Sequence, residues 1–243
     1  QQQHEQQQQQ HEQETSFLPF FLQSKGPPQI LFLCLLFAIA AGSTIGVVPT
    51  VITDRYARLH HGFDDGVKRC EDYASDDRPQ ACRDGSSEAQ TVAAISSFLS
   101  NLFTFFSSSL VGSLSDEYGR RKFLLLGQFF SCLCPLCLVL LQLFDTMSPI
   151  WYYTSSSIGG FINWITLALS SLSDVMPKQW RAPCFGVLLS GFSLGFAFAP
   201  ILALAFSHLG VSILSLSLSI FSFIYGIIYL PETLPIEASE RAR

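Results

Sequence analysis

Residues 112 to 122 read Gly-Ser-Leu-Ser-Asp-Glu-Tyr-Gly-Arg-Arg-Lys. Asp116 and Arg120 lie four residues apart, in reach of each other if a helix continues through them, and Arg can bind a carboxylate bidentately. Gly119 suits the positive φ of a tight turn, and Gly112 suits the close approach of another helix. Asp116 ends a long uncharged stretch, where a carboxylate at a membrane boundary needs a cationic or dipolar partner. The chemistry on offer is charge pairing, not bond making. The plainer reading of Arg120, Arg121 and Lys122 is a basic loop that anchors topology.

Other chemistries find little support. No Ser-His-Asp arrangement, metal-ligand spacing or phosphate-cradling loop is present, so the expectation is a non-enzyme with no cofactor and no metal. Cys132, Cys134 and Cys137 have no His or acidic neighbour and sit in apolar sequence, where cysteine behaves as a small hydrophobe. Gly159-Gly160 falls inside an apolar run. No basic run points to nucleic acid.

The elements that must position these residues are legible from where charge is missing. Only 14% of the 243 residues are charged, against roughly 25% in a soluble domain. Lys25 and Asp54 bracket 28 uncharged residues, Glu88 and Asp116 bracket 27, Lys122 and Asp145 bracket 22, and Asp145 and Asp174 bracket 28. Arg181 and Glu232 bracket 50, interrupted only by His208. About 20 apolar residues suffice to cross a hydrocarbon core of roughly 30 Å as a helix. The pattern therefore predicts an all-α membrane protein with six spans over 30–52, 91–114, 122–143, 150–173, 183–207 and 210–230. Residues 1–27, rich in Gln, His and Glu at their start, read as a disordered tail. Residues 235–243 read as a tail or linker.

Basic residues set the orientation. Lys25, Arg120, Arg121, Lys122, Lys178, Arg181, Arg241 and Arg243 fall on one side of this topology, including all those in short loops. That side is expected to be cytoplasmic, with both termini, in a plasma or organelle membrane. The connection 53–90 then faces outward or into a lumen. It holds Cys70 and Cys82, which in an oxidising compartment either form a disulfide closing a small loop or remain free or separately paired thiols.

The 112–122 segment resembles the signature loop of the major facilitator superfamily, and it lies where that family places it, between spans two and three. Pro231-Glu232-Thr233 resembles the segment that commonly ends span six, while Gly191, Gly195 and Ala199-Pro200 loosely resemble a motif of span five. The long first loop with paired cysteines is similar to proton-coupled folate-type carriers and to tetracycline-exporter-like members. The resemblance covers residues 28–234 and implies one six-helix half of a twelve-helix transporter. It implies a network of Asp116, Arg120 and an acid ending span four, here Asp174, with Arg181 following. It also implies a second half, or another copy, against which the motif acid packs.

The resemblance further implies a substrate cavity lined by spans one and four, which nominates Thr44, Asn163 and Trp164, with Asn101 of span two beside them. A buried Asn is costly in lipid, so Asn163 needs a partner, whether a solute or another helix. Trp151, Tyr152 and Tyr153 read as an interfacial aromatic belt. The implied function is alternating-access transport of a small organic solute across a lipid bilayer, with or without a coupled proton. The competing reading is a non-transporting scaffold or chaperone-like protein built from a transporter half. An epitope tag placed beside Gly119 in intact cells should be protected from external antibody; labelling without permeabilisation would overturn the topology.

Overall fold

The computed structural model describes residues 17–66, 68–74 and 76–233. Among these the order is α1 (Phe17–Gln23), α2 (Pro27–Thr44), α3 (Val47–His60), α4 (Gln80–Tyr118), α5 (Arg120–Leu143), α6 (Ile150–Gly159), α7 (Trp164–Val175), α8 (Arg181–Ala205) and α9 (His208–Tyr229). Short 3₁₀ turns occupy Cys70–Asp72 and Lys178–Trp180, and no strand occurs among the described residues. Among the described residues, six segments are long and apolar enough to cross a membrane. In lipid, a helix is the form that satisfies its backbone groups within one segment.

Several expected boundaries move. The first span is α2 continued by α3, reaching His60 rather than residue 52. Ile45 and Gly46 between them keep helical dihedrals, so the element bends without becoming a loop. Pro49 supplies the reason, since it has no N–H to donate to the carbonyl of Ile45. The second span, α4, begins at Gln80 and runs for 39 residues. At 1.5 Å per residue it is about 58 Å long, well beyond the hydrocarbon core, so polar residues after Gln80 extend the helix outside lipid. The expected 53–90 loop thus shrinks to residues 61–79. Part of the expected disordered tail is helix α1, whose Phe21 is buried and whose Phe17 ring lies 5.7 Å from that of Phe21 and 5.5 Å from that of Trp180. Its run of Phe and Leu provides the apolar surface that the preceding Gln-rich stretch lacks. Residues 1–16 and 234–243 lie outside the described residues.

The fourth span is two helices. α6 stops at Gly159 and α7 starts at Trp164, so Gly159-Gly160 ends a helix rather than lying within one. The carbonyl oxygen and hydroxyl of Ser100 on α4 crowd the Cα of Gly160, leaving no space for a side chain. Thr104 donates to the Gly160 carbonyl at 2.7 Å, satisfying a group freed by the break. Asn163 caps α7 by accepting from the Thr166 amide at 3.1 Å.

The core centres on α2, α5, α7 and α8, where Ile30, Leu33, Leu124, Trp164, Leu167, Leu172 and Leu188 are buried together. Small residues bring α2 and α8 to near-backbone contact: a methyl group on Gly195 would sit 2.5 Å from Ala38 Cβ and 3.0 Å from the Leu35 carbonyl oxygen. Without a hydrophobic force between helices in lipid, such close packing is what holds them. Only 11% of the apolar window of α4 and 17% of that of the 178–205 segment is buried, against 50% for α2. Gly195→Ala should lower stability by about 1–3 kcal/mol through overpacking. Gly186→Ala, on the same helix with nothing within 4 Å, should raise it by up to about 1 kcal/mol. Thermal unfolding in detergent measures both, and the reverse order would refute the packing account.

Candidate functional site

At one end of the bundle α4 turns into α5 through Gly119, whose φ of 98° excludes ordinary side chains. Arg120, the first residue of α5, is 9% exposed. Its Nε donates to Asp174 Oδ2 at 2.7 Å and its Nη1 to Ser115 Oγ at 3.0 Å. Its Nη2 lies 2.6 Å from Asp116 Oδ1 as a close charge contact, but that oxygen accepts no aligned hydrogen bond. One guanidinium therefore ties together the ends of α4, α5 and α7.

Each charge sits where its own helix disfavours it. Asp116 is in the last turn of α4, Asp174 in the last turn of α7, and Arg120 at the start of α5. A helix end repels charge of its own sign, by about 0.3–1 kcal/mol per group. Removing one member leaves the others opposed by their helices.

Glu232, beyond the end of α9, completes this end. Its Oε1 accepts from the Arg120 amide at 2.9 Å and its Oε2 from the Arg121 amide at 3.3 Å, giving the α5 N-terminus the anion it favours. Arg121 Nη2 donates to the Ile227 carbonyl at 2.5 Å. Glu232 belongs to the Pro-Glu-Thr segment visible in the sequence, but its target was not. Arg181 stands apart from the Arg120 cluster and donates to the Met176 carbonyl at 3.2 Å, at the end of α7. Gly112 has nothing within 4 Å of a built Cβ, so no helix of the described chain approaches it.

The opposite end of α5 is held by a cation. Arg55, 8% exposed, donates to the carbonyls of Leu141 and Asp145 and pairs with Asp145 Oδ1 at 3.0 Å. Cys70 and Cys82 are joined by a disulfide here, and Asp54 accepts from the Cys70 amide at 3.0 Å and from Arg58 at 2.8 Å. Asp54, Arg58, Arg69, Glu71 and His208 line a charged basin of about 950 Å³.

Between the two ends lies a cavity of about 640 Å³. Its wall brings together Thr44, Asn101, Asn163 and Trp164 with Phe37, Phe130, Tyr152 and Ser215. None of its lining residues is Asp, Glu, Lys, Arg or His. The break between α6 and α7 opens onto it. Tyr153 is not part of an exposed belt: it is 9% exposed and donates to the Ala89 carbonyl at 3.0 Å, because it faces α4. A polar seam of α9 went unread in the sequence. Ser212, Ser215, Ser219 and Ser222 are all buried. Three of them bond across helices, to Gln142, the Ala40 carbonyl and Gln128 respectively, at 2.7, 2.8 and 3.0 Å. Their spacing of three and four residues, one helical face, was the available signal.

Six spans among the described residues, a broken helix beside a central cavity and an ionic cluster at one end of the bundle fit the class of membrane transport proteins. A profile of the Major Facilitator Superfamily matches residues 83–243. The chain belongs to that superfamily. It resembles the Hippocampus abundant transcript 1 proteins of Mus musculus and Homo sapiens, each 28% identical over 142 residues, covering 55% of this chain and 27% of the relative. Hippocampus abundant transcript-like protein 1 of Bos taurus is 27% identical over 139 residues, with 55% and 26% covered. The fold matches the crystal structure of the human organic anion transporter MFSD10 (TETRAN) with a TM-score of 0.66 at 21% identity. That match takes in 87% of this chain and 48% of the other. The chain thus matches about a quarter of the length of these curated relatives and about half of the solved structure.

Gly119→Ala should cost about 1–3 kcal/mol from its backbone alone, and its methyl group would meet Glu232 Oε2 at 2.5 Å. Glu232→Gln, which keeps shape and removes charge, should cost up to about 2 kcal/mol. Unchanged melting temperatures for both variants would mean that Glu232 does not cap α5.

Proposed function

We infer that this chain is one six-helix half of a secondary transporter that moves a small organic solute by alternating access. The observation that carries this reading is the Arg120 cluster, in which three helix-end charges rely on one another rather than on their own helices. Asp116 is its exchangeable member. Its side chain is 49% exposed and its contact with Arg120 is unaligned, whereas Asp174 is 19% exposed and hydrogen-bonded. In this reading Asp116 trades Arg120 for the positive end of a helix in a second half, or another copy, as the bundle changes state. Gly112, one turn earlier on α4 and open on its outer side, marks where that partner approaches. The sparsely buried α4 and α8 supply the faces it covers.

The solute occupies the 640 Å³ cavity, with Thr44, Asn101, Asn163 and Trp164 among its contacts. The cavity's lack of ionisable acids and bases puts any coupled proton on residues outside this wall. The motif end is cytoplasmic, as its basic residues favour. In the full-length protein, Asp116→Asn should slow uptake about tenfold, the effect of ~1.4 kcal/mol on one barrier, while surface abundance holds. Solute uptake into proteoliposomes at two pH values reads both transport and proton coupling. Wild-type uptake with unaltered kinetics in Asp116→Asn would remove Asp116 from the switch.

A further inference from the structure

His208, the first residue of α9, reaches across the charged basin to the connection between α3 and α4. Its Nδ1 lies 2.8 Å from Arg69 Nη1 and 3.3 Å from Glu71 Oε1. Arg69 and Glu71 flank Cys70, whose amide donates to Asp54 of α3 at 3.0 Å and whose sulfur is bonded to Cys82 of α4. Both partners are therefore held by α3 and α4, and His208 ties α9 to them.

One nitrogen cannot serve both. An imidazole nitrogen carries either a lone pair or an N–H. Arg69 is a permanent cation and only donates, so it bonds Nδ1 when that atom is bare and the ring is neutral with its proton on Nε2. Glu71 then faces a lone pair. When solvent supplies a proton to Nδ1, the new N–H points to Glu71 as a charge-assisted bond, and Arg69 faces a like charge at 2.8 Å. Arg69 is free to leave for water, because its side chain is 50% exposed. Histidine is the side chain that ordinarily changes charge between about pH 5 and 8. The other described histidines, His60 and His61, meet the Glu88 carboxylate at 2.7 and 3.0 Å, a partner to which an imidazole N–H donates in either charge state.

The remaining charged groups of the basin are already committed or distant in sequence from the exchange. Asp54 pairs with Arg58 on α3, Arg55 of α3 pairs with Asp145 beyond α5, and Asp64 lies in the same connection as Arg69. One turn along α9 from His208, Val211 packs with Val47, Val51 and Leu138. Val51 also lines the basin and Leu138 the central cavity, so this apolar cluster stands between the two spaces. We propose that His208 is a proton-binding site, where proton uptake moves the hydrogen bond of Nδ1 from Arg69 to Glu71 and so re-anchors the first turn of α9 above the apolar cluster. The exchange does not rest on the transport reading. Joined to it, the site makes the compartment on this side the source of the proton.

The test is thermal unfolding of the full-length protein in detergent at pH 8 and pH 5.5, in double-mutant cycles. At pH 8, His208→Gln should lower the melting temperature by about 1–2 °C, the size expected for one partly exposed contact. That loss should vanish in an Arg69→Gln background and persist in Glu71→Gln. At pH 5.5 the dependence should reverse, with the loss vanishing in Glu71→Gln and persisting in Arg69→Gln. A second measurement needs no variant to be stable beyond His208→Gln, which assigns the signal. Nitrogen NMR of histidine-labelled protein should show Nδ1 of His208 bare at pH 8 and protonated at pH 5.5. Coupling to the same partner at both pH values, coupling to neither, or a proton on Nδ1 at pH 8 overturns the proposal and leaves the transport reading untouched.

Discussion

The Arg120 guanidinium is the fastening on which the motif end depends. It is nearly buried and reaches Asp174, Asp116 and Ser115 at 2.6–3.0 Å. A buried guanidinium is costly unless paired, so three helix ends are obliged to meet around it. Asp116 and Asp174 close α4 and α7, and Arg120 opens α5, each against the sign its helix prefers. A static bundle would gain more by exchanging these signs.

Around that cluster, α5 acts as a spine with both ends neutralised from elsewhere. Glu232 accepts from its first amides, and Arg55 donates to the Leu141 carbonyl in its last turn and to the Asp145 carbonyl just beyond it. The residues come from the far end of α9 and from α3, more than a hundred and about ninety positions away. Helix ends leave amides and carbonyls without intrahelical partners, and here charged side chains satisfy some of them. The serine seam of α9 and the tight contact of Gly195 with α2 extend the same logic to the interior. Hydrogen bonds and close approach hold the helices, since apolar surface alone gains little by leaving lipid.

The central cavity follows from one interruption. Gly159 and Gly160 permit α6 to stop, α4 presses against Gly160, and Asn163 restarts the chain as α7. Backbone that is not helical is tolerated at membrane depth where it lines a cavity. The same interruption turns Asn163 from a buried amide seeking a partner into a helix cap facing open space. A residue-type argument had singled out Asn163 for its cost in lipid. The structure lowers that cost by giving its oxygen to the Thr166 amide at the wall of the cavity.

The sequence by itself determined six apolar spans, the acid–arginine pair at a helix junction and the polar residues at mid-span. Gaps in charge and an interval of four residues are local properties, readable without knowing what packs on what. Boundaries set by other helices were not legible: α4 extends to Gln80, the fourth span breaks at Gly160 and α1 folds onto Trp180 because of neighbours distant in the chain. Nor could sequence tell that Glu232 caps α5, that Arg181 turns to Met176, or that Gly112 meets no helix here. Tertiary structure decided those, because hydrogen bonds and steric approach act over a few ångströms in space and take no account of separation along the chain.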